Sequence, residues 1–362
     1  MDEYSSYYLL RETDIIWAPL SLLVLYIIVY YKRKKYAGTI LYGYYMPAFL
    51  WRVLFAIIYT VISQYYFVFA DTNHYYQAVL DMHKAVTDDL GFLSDIYTKL
   101  KLKDDNPVFN YFYFDAISVT HFYMYDVKNY FVPRFALPFS LLFGKSYLAI
   151  CFCLSFFAFG GCWRIFKMFY QLYPHLHKKI ALAFLFLPSV LFWGVALLKD
   201  TICIGAMGYC LYAAYKLFIA KKGGLIDVLI LIGSGLLMFY IKPYILICLA
   251  PAFLIWIFLR ARVLIEDRTL RQIATFMFTA ISLVVAFFLV QSFTSSEMAS
   301  QYSAENIMNT VKSQQQIFAS SDAAAGGGSK FEVADVGNSL GGMLLLFPTG
   351  IMNTFFRPFP WD

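Results

Sequence analysis

Eight apolar stretches, each close to the roughly 20 residues needed to cross a bilayer core, divide this chain. They are Ile15–Tyr31, Pro47–Ala70, Tyr147–Phe166, Ile180–Leu198, Thr201–Ile219, Leu225–Ile241, Tyr244–Leu259 and Ile273–Phe293. Hydrocarbon offers the backbone no hydrogen-bond partner, so such segments must bond internally, as helices. Charged residues are 14% of the chain against 60% hydrophobic, where a soluble domain carries about a quarter charged residues. The expected fold is an all-α, polytopic transmembrane bundle of eight or nine spans, a single domain over 1–362. Residues 1–14 are acidic and polar, with no small-residue cleavage site after the first apolar run, so Ile15–Tyr31 reads as a retained anchor.

Lys and Arg set the orientation, because short cytoplasmic loops collect them. If Lys32-Arg-Lys-Lys35 is cytoplasmic, alternation of spans places Arg164, Lys167, Lys178, Lys179, Lys216, Lys221, Lys222, Arg260, Arg262, Arg268 and Arg271 on the same side. The N-terminus is then outside. Two long polar stretches, 71–130 and 294–338, share that outer side. The first is rich in Tyr and Phe, which suits helices lying at a bilayer surface. The second has low-complexity character, with Ser313-Gln-Gln-Gln316 and Ala323-Ala-Ala-Gly-Gly-Gly-Ser329. Short apolar pieces, Phe131–Phe143 and Ser339–Phe356, follow these stretches. The net charge of +6 is accounted for by the cytoplasmic loops and does not call for nucleic acid. The six cysteines all fall in apolar sequence and read as small packing residues.

Charge at the edge of a span is costly, so residues kept there pair, snorkel or work. Asp71-Thr-Asn-His74 follows the second span; at i and i+3 the carboxylate and imidazole share a helix face, either as a general base at a cavity lip or as a capped helix start. Lys199-Asp200 interrupts the apolar sequence between the fourth and fifth spans. It reads either as a phosphate site or as a turn in which Lys199 snorkels and Asp200 caps. Lys242-Pro243 makes the equivalent outer turn, adding a second cation at similar depth, and Pro suits a first helical turn. Arg134 stands where the outer stretch re-enters the membrane, and Arg357 lies in Arg-Pro-Phe-Pro-Trp. His175 and His177 read as part of a solvated basic loop, and Asp227 as a helix-start charge. Walker, dinucleotide, zinc-protease and nucleophile-elbow motifs are absent, and no span carries a central acidic residue. No cofactor is called for; Asp71 alone offers too few ligands to argue for a divalent metal.

Three of these pieces resemble elements of bacterial multi-span polysaccharide polymerases of the EpsG and Wzy kind, and of GT-C-like glycosyltransferases. Asp71-Thr-Asn-His-Tyr-Tyr76 is similar to their G-D-T-x-x-Y-Y element, with Ala70 in place of Gly. Pro188-Ser-Val-Leu-Phe-Trp-Gly-Val-Ala-Leu-Leu-Lys-Asp200 resembles P-S-x-x-F-W-S-x-x-x-x-K-D, and Phe356-Arg-Pro-Phe-Pro-Trp-Asp362 resembles R-P-F-x-W-E. The resemblance implies inverting sugar transfer from polyprenyl-phosphate-linked saccharides at the outer membrane face. It nominates Asp71, Lys199, Asp200 and Arg357. Asp71, with His74, is expected to deprotonate an acceptor hydroxyl; Lys199, Lys242 and Arg357, with Arg134 beside them, are expected to hold the departing phosphate. Such proteins continue beyond the last element, so the chain reads as C-terminally truncated. The competing expectation is a transporter of lipid or polysaccharide, or a membrane scaffold, with the same cations binding a headgroup without chemistry.

Overall fold

The computed structural model describes residues 8–67, 70–100, 106–113, 126–262 and 265–294, with a few isolated positions beyond. Among the described residues, ten helices and one broken segment carry the chain. They are α1 (Glu12–Lys34), α2 (Leu41–Tyr65), α3 (Asp71–Asp88), α4 (Phe92–Thr98), α5 (Val127–Leu142), α6 (Tyr147–Leu172), the broken α7 (Pro174–Trp193), α8 (Lys199–Ile219), α9 (Leu225–Ile241), α10 (Pro243–Ala261) and α11 (Arg268–Thr294). Six are long and apolar enough to cross a membrane: α1, α2, α6, α7, α8 and, to Arg260, α10. α9 is a shorter apolar helix of 17 residues, and α11 covers the eighth expected stretch. The residues pack as two units, one through Phe278 and one from Thr279.

α1 shows why these helices belong in lipid. It buries Ala18, Ser21, Leu25 and Val29, one stripe at helical spacing. Its other faces expose Ile15, Ile16, Leu23 and Ile27. Such an apolar outer surface is the reverse of a soluble bundle and matches a hydrocarbon solvent.

α6 is the centre of the first unit, with α1, α2, α5 and α8 against it. Its closest neighbour is α8, because glycine removes the side chains between them. A Cβ at Gly161 would lie 2.2 Å from the Gly205 carbonyl oxygen, and one at Gly208 would lie 2.2 Å from that of Gly161. Lacking hydrophobic drive between helices in lipid, such close packing is what holds them together. Toward the basic end, Tyr45 packs edge to face on Phe159 and Trp163, Phe166 lies tilted against Trp163, and Trp163 Nε1 donates to the Tyr36 hydroxyl at 2.9 Å. At the other end Asp14 fastens α1 to α6. Its Oδ1 accepts from the Ser146 hydroxyl and from Leu148 N at 3.1 Å, satisfying amides at the start of α6. Asp14→Ala is expected to cost about 1–3 kcal/mol of stability in denaturant titrations in detergent, and Asp14→Asn less. Equal stability of wild type and Asp14→Ala would remove this tie.

Two expectations are corrected. The fourth span, expected to run helical from Ile180 to Leu198, instead breaks twice. A π-helical turn covers Leu182–Phe186, Leu187 is extended (φ −66°, ψ 120°) before Pro188, and the helix resumes only to Trp193. Proline excludes the helical conformation from the residue before it, which explains the first break. Gly194–Leu198 then runs non-helically although Val195, Ala196 and Leu197 are fully buried. Second, neither Asp71 nor Asp200 caps a helix: the cap residues are Ala70 and Leu198, and each aspartate stands inside the first turn. α3, α4, the 3-10 turn Pro107–Tyr113 and α5 share a core of Ala78, Met82, Val86, Ile96, Phe109, Phe112, Tyr130 and Leu137. α3 is enclosed on nearly every face, and its polar side chains bond within the protein: Gln77 to Asp81 at 2.8 Å, His83 to Ser140 at 2.9 Å, Tyr75 to Asn129 at 3.1 Å.

Candidate functional site

The helix starts of α3, α5, α8 and α10 bring their charges to one end of the bundle. Asp71 and His74 open α3, Asp126 and Lys128 open α5, Lys199 and Asp200 open α8, and Lys242 sits in the turn before Pro243. Lys242 Nζ pairs with Asp200 Oδ1 at 2.6 Å, joining the first turn of α8 to the turn before α10. Lys199 lies in the electrostatic field of Asp126 and Asp71, and is repelled by Lys128 and Lys242. The fields of Asp71 and Asp200 both reach Tyr59 on α2. Asp71 and Lys242 thus both stand within electrostatic range of Lys199, although 171 positions separate them in sequence.

Their protonation follows from where they sit. Burial pushes the His74 imidazole below its ordinary pKa, with Asp71 pulling the other way. Its neutral form is thus favoured, as a proton acceptor near neutral pH requires. Burial also lowers Lys128, opposed by Asp126. For Lys242 burial acts downward too, but the hydrogen bond and charge of Asp200 outweigh it and the net shift is upward. Asp126 is the true cap here: its carboxylate accepts from Lys128 N at 3.2 Å. Three lysines and several helix N-termini, each with a partial positive charge, face a small number of carboxylates. The arrangement can hold an anionic group beside a carboxylate and a neutral imidazole. Among the described residues no group of three or more His, Cys, Asp or Glu is placed to hold a metal ion.

The structure places Arg134 against α4. It is buried in α5, its guanidinium donates to the Lys99 carbonyl at 2.9 Å, and it lies over the Tyr130 ring at 4.4 Å. The Tyr97 hydroxyl donates back to the Arg134 carbonyl at 2.8 Å. These contacts tie α4 to α5, by capping carbonyls that the end of α4 leaves unpaired. Arg357 and the stretches 295–312 and 353–362 lie outside the described residues. Asp227 does start a helix as expected, bonding Gly224 N at 3.0 Å, and it also takes a bidentate bond from Lys216.

Sequence reasoning passed over Arg52. It lies midway along α2 and is completely buried. Nη1 donates to the Gly194 carbonyl at 3.0 Å and Nη2 to Cys162 Sγ at 2.9 Å, while Nε has no partner. Among the described residues no carboxylate pairs with it. Ser155 Oγ donates to the Val195 carbonyl at 2.8 Å and Thr201 Oγ1 to that of Trp193 at 3.3 Å. Non-helical backbone at membrane depth persists where protein satisfies it, and these three side chains do so for the segment leading into Lys199-Asp200. A lone arginine in an apolar span was the available signal. Cys162 is accordingly a hydrogen-bond acceptor for a buried cation as well as a packing residue. No protein-family model, curated protein or solved structure matches the chain.

Proposed function

We propose that this membrane protein transfers sugar from a polyprenyl-phosphate-linked donor at the outer face of the bacterial cytoplasmic membrane, building an envelope polysaccharide with inversion at the anomeric carbon. The convergence of Asp71, His74, Lys199, Asp200 and Lys242 on one end of the bundle supports this reading. In it, Asp71 with neutral His74 takes the proton of an acceptor hydroxyl. The oxygen so freed attacks the anomeric carbon, and the bond to the lipid phosphate breaks. Lys199 and Lys242, with the helix N-termini, stabilise negative charge as it builds on the leaving phosphate. In this reading the Lys242–Asp200 pair is a resting contact that exchanges for substrate phosphate.

That same pair favours a second reading. A lysine already neutralised at 2.6 Å is what a purely structural turn would show, and a lipid transporter or scaffold needs no proton acceptor. Asp71→Asn separates the two. With purified protein, lipid-linked oligosaccharide and acceptor, transfer is expected to fall at least about 100-fold with membrane insertion unchanged, the scale of a lost general base. Transfer at the wild-type rate in that variant removes Asp71 from the chemistry. Undiminished lipid binding with no transfer by the wild type favours the second reading.

A further inference from the structure

One face of α6 carries three hydrogen-bonding side chains that the proposed chemistry does not use. Tyr147, Cys151 and Ser155 follow at intervals of four, so they stand one above another on the helix. All three are completely buried. At the first of them, the Tyr147 hydroxyl and Thr72 Oγ1 share a hydrogen bond at 2.7 Å, and Thr72 directly follows Asp71. The Tyr76 ring, one turn on from Thr72, packs edge to face on Tyr147 at 5.1 Å, and its hydroxyl donates to the Lys145 carbonyl. The start of α3 is thus fastened to the start of α6. One turn along α6, Cys151 is hydrogen-bonded to the Tyr147 hydroxyl and accepts from the Leu197 amide. One turn further, Ser155 Oγ donates to the Val195 carbonyl at 2.8 Å. Leu197 stands two residues before Lys199.

The segment Gly194–Leu198 is buried without being helical, so its amides and carbonyls need partners from elsewhere. For Leu197 that partner is a thiol, which is a weak acceptor. A weak acceptor serves only while its rotamer is held. The Tyr147 hydroxyl holds the thiol from the other side, and Thr72 and Tyr76 hold Tyr147 in turn. The same face of α6 therefore receives the piece of chain that carries Asp71 and the piece that leads into Lys199. We propose that Tyr147 and Cys151 are positioning residues: the hydrogen-bonded ladder on α6 holds the Asp71–His74 turn and the Lys199–Asp200 turn at a fixed separation. Their service to catalysis rests on the sugar-transfer reading above; the ladder itself does not.

The test pairs hydrogen exchange, read by mass spectrometry, with transfer kinetics on the full chain in detergent. Tyr147→Phe keeps the ring and loses only the hydroxyl, and Cys151→Ala loses only the sulfur. Each is expected to quicken exchange of the Leu197–Lys199 amides about fivefold, the scale of one lost hydrogen bond. Tyr147→Phe acts there through Cys151, and quickens the first turn of α3 as well. A bond serving only the start of α6 would quicken α3 alone. In both variants kcat is expected to fall about tenfold with KM moved less than about twofold, because groups are misplaced and no charge is lost. Cys151→Ser is expected to restore both readouts, since its hydroxyl oxygen accepts the same bonds. Two results overturn the proposal: Leu197–Lys199 exchange as slow in both variants as in wild type, or quickened exchange with kcat unchanged. Absence of transfer by the wild type, with exchange quickened in the variants, overturns the sugar-transfer reading alone and supports the ladder. If Tyr147→Phe does not fold, Cys151→Ala and Cys151→Ser carry the test.

Discussion

Arg52→Ala is expected to lower unfolding stability by about 3 kcal/mol or more, and Arg52→Met to restore most of it. The alanine variant leaves a cavity at a fully buried position in α2 and strips the Gly194 carbonyl of its donor. Methionine fills that volume and removes an uncompensated charge, which by itself is neutral or favourable. It cannot bond Gly194, however. Arg52→Met should therefore fold, yet amide hydrogen exchange over Val195–Leu198 should quicken, because an anchor of that buried non-helical segment is gone. Lys199 follows it directly, so any transfer activity should fall about 100-fold, the usual consequence of misplacing a group by around 1 Å. Unchanged exchange in Arg52→Met would show that Ser155 and Thr201 hold the segment without help from Arg52.

Gly161→Leu should be the most damaging single change among the glycines. Even a methyl group at Gly161 meets the Gly205 carbonyl at 2.2 Å, and backbone cannot turn aside as a flexible side chain can. α6 and α8 must then separate, which opens the centre of the first unit and shifts every element packed on α6. Overpacking in a core typically costs 1–3 kcal/mol, and a backbone collision belongs at or beyond the upper end. Loss of monodisperse protein in size-exclusion chromatography is the expected observation. Gly233→Ala on α9 is the matched control: nothing lies within 4 Å of a Cβ there, so it should be neutral or gain up to about 1 kcal/mol of helix propensity. Wild-type behaviour of Gly161→Leu would mean that the helix contact is not what holds the bundle.

The helices were legible from apolar run length, since a segment's hydropathy depends on its own residues alone. α1, α2, α6, α8 and α10 all stand where such runs predict, with ends moved by a few residues. The clustering of basic residues at one set of helix ends was equally legible, being a count along the chain. Asp71, Lys199 and Lys242 were singled out for a local reason too: a charge at the edge of an apolar run is costly wherever the run ends up. Capping by Asp71 and Asp200, one of the two readings open for each, fails because capping turns on the dihedral angles of one residue, and Ala70 and Leu198, not the aspartates, take the extended conformation.

Tertiary structure alone decided the rest. The partner of Arg134, the Lys99 carbonyl at the end of α4, comes from 35 positions away. Arg52 looked like nothing in particular until the fourth span broke beside it, and its partner carbonyl is 142 positions distant. Hydropathy could not foresee that break, because every residue of Gly194–Leu198 is apolar or small and fits an uninterrupted span. What permits the break is a set of side-chain donors from α2, α6 and α8 that pay the backbone's hydrogen-bond debt in place of a helix. Membrane-length apolar runs determine that this chain crosses a bilayer as helices. The meeting of those helices, through glycine contacts and long-range hydrogen bonds, determines which charges share a site.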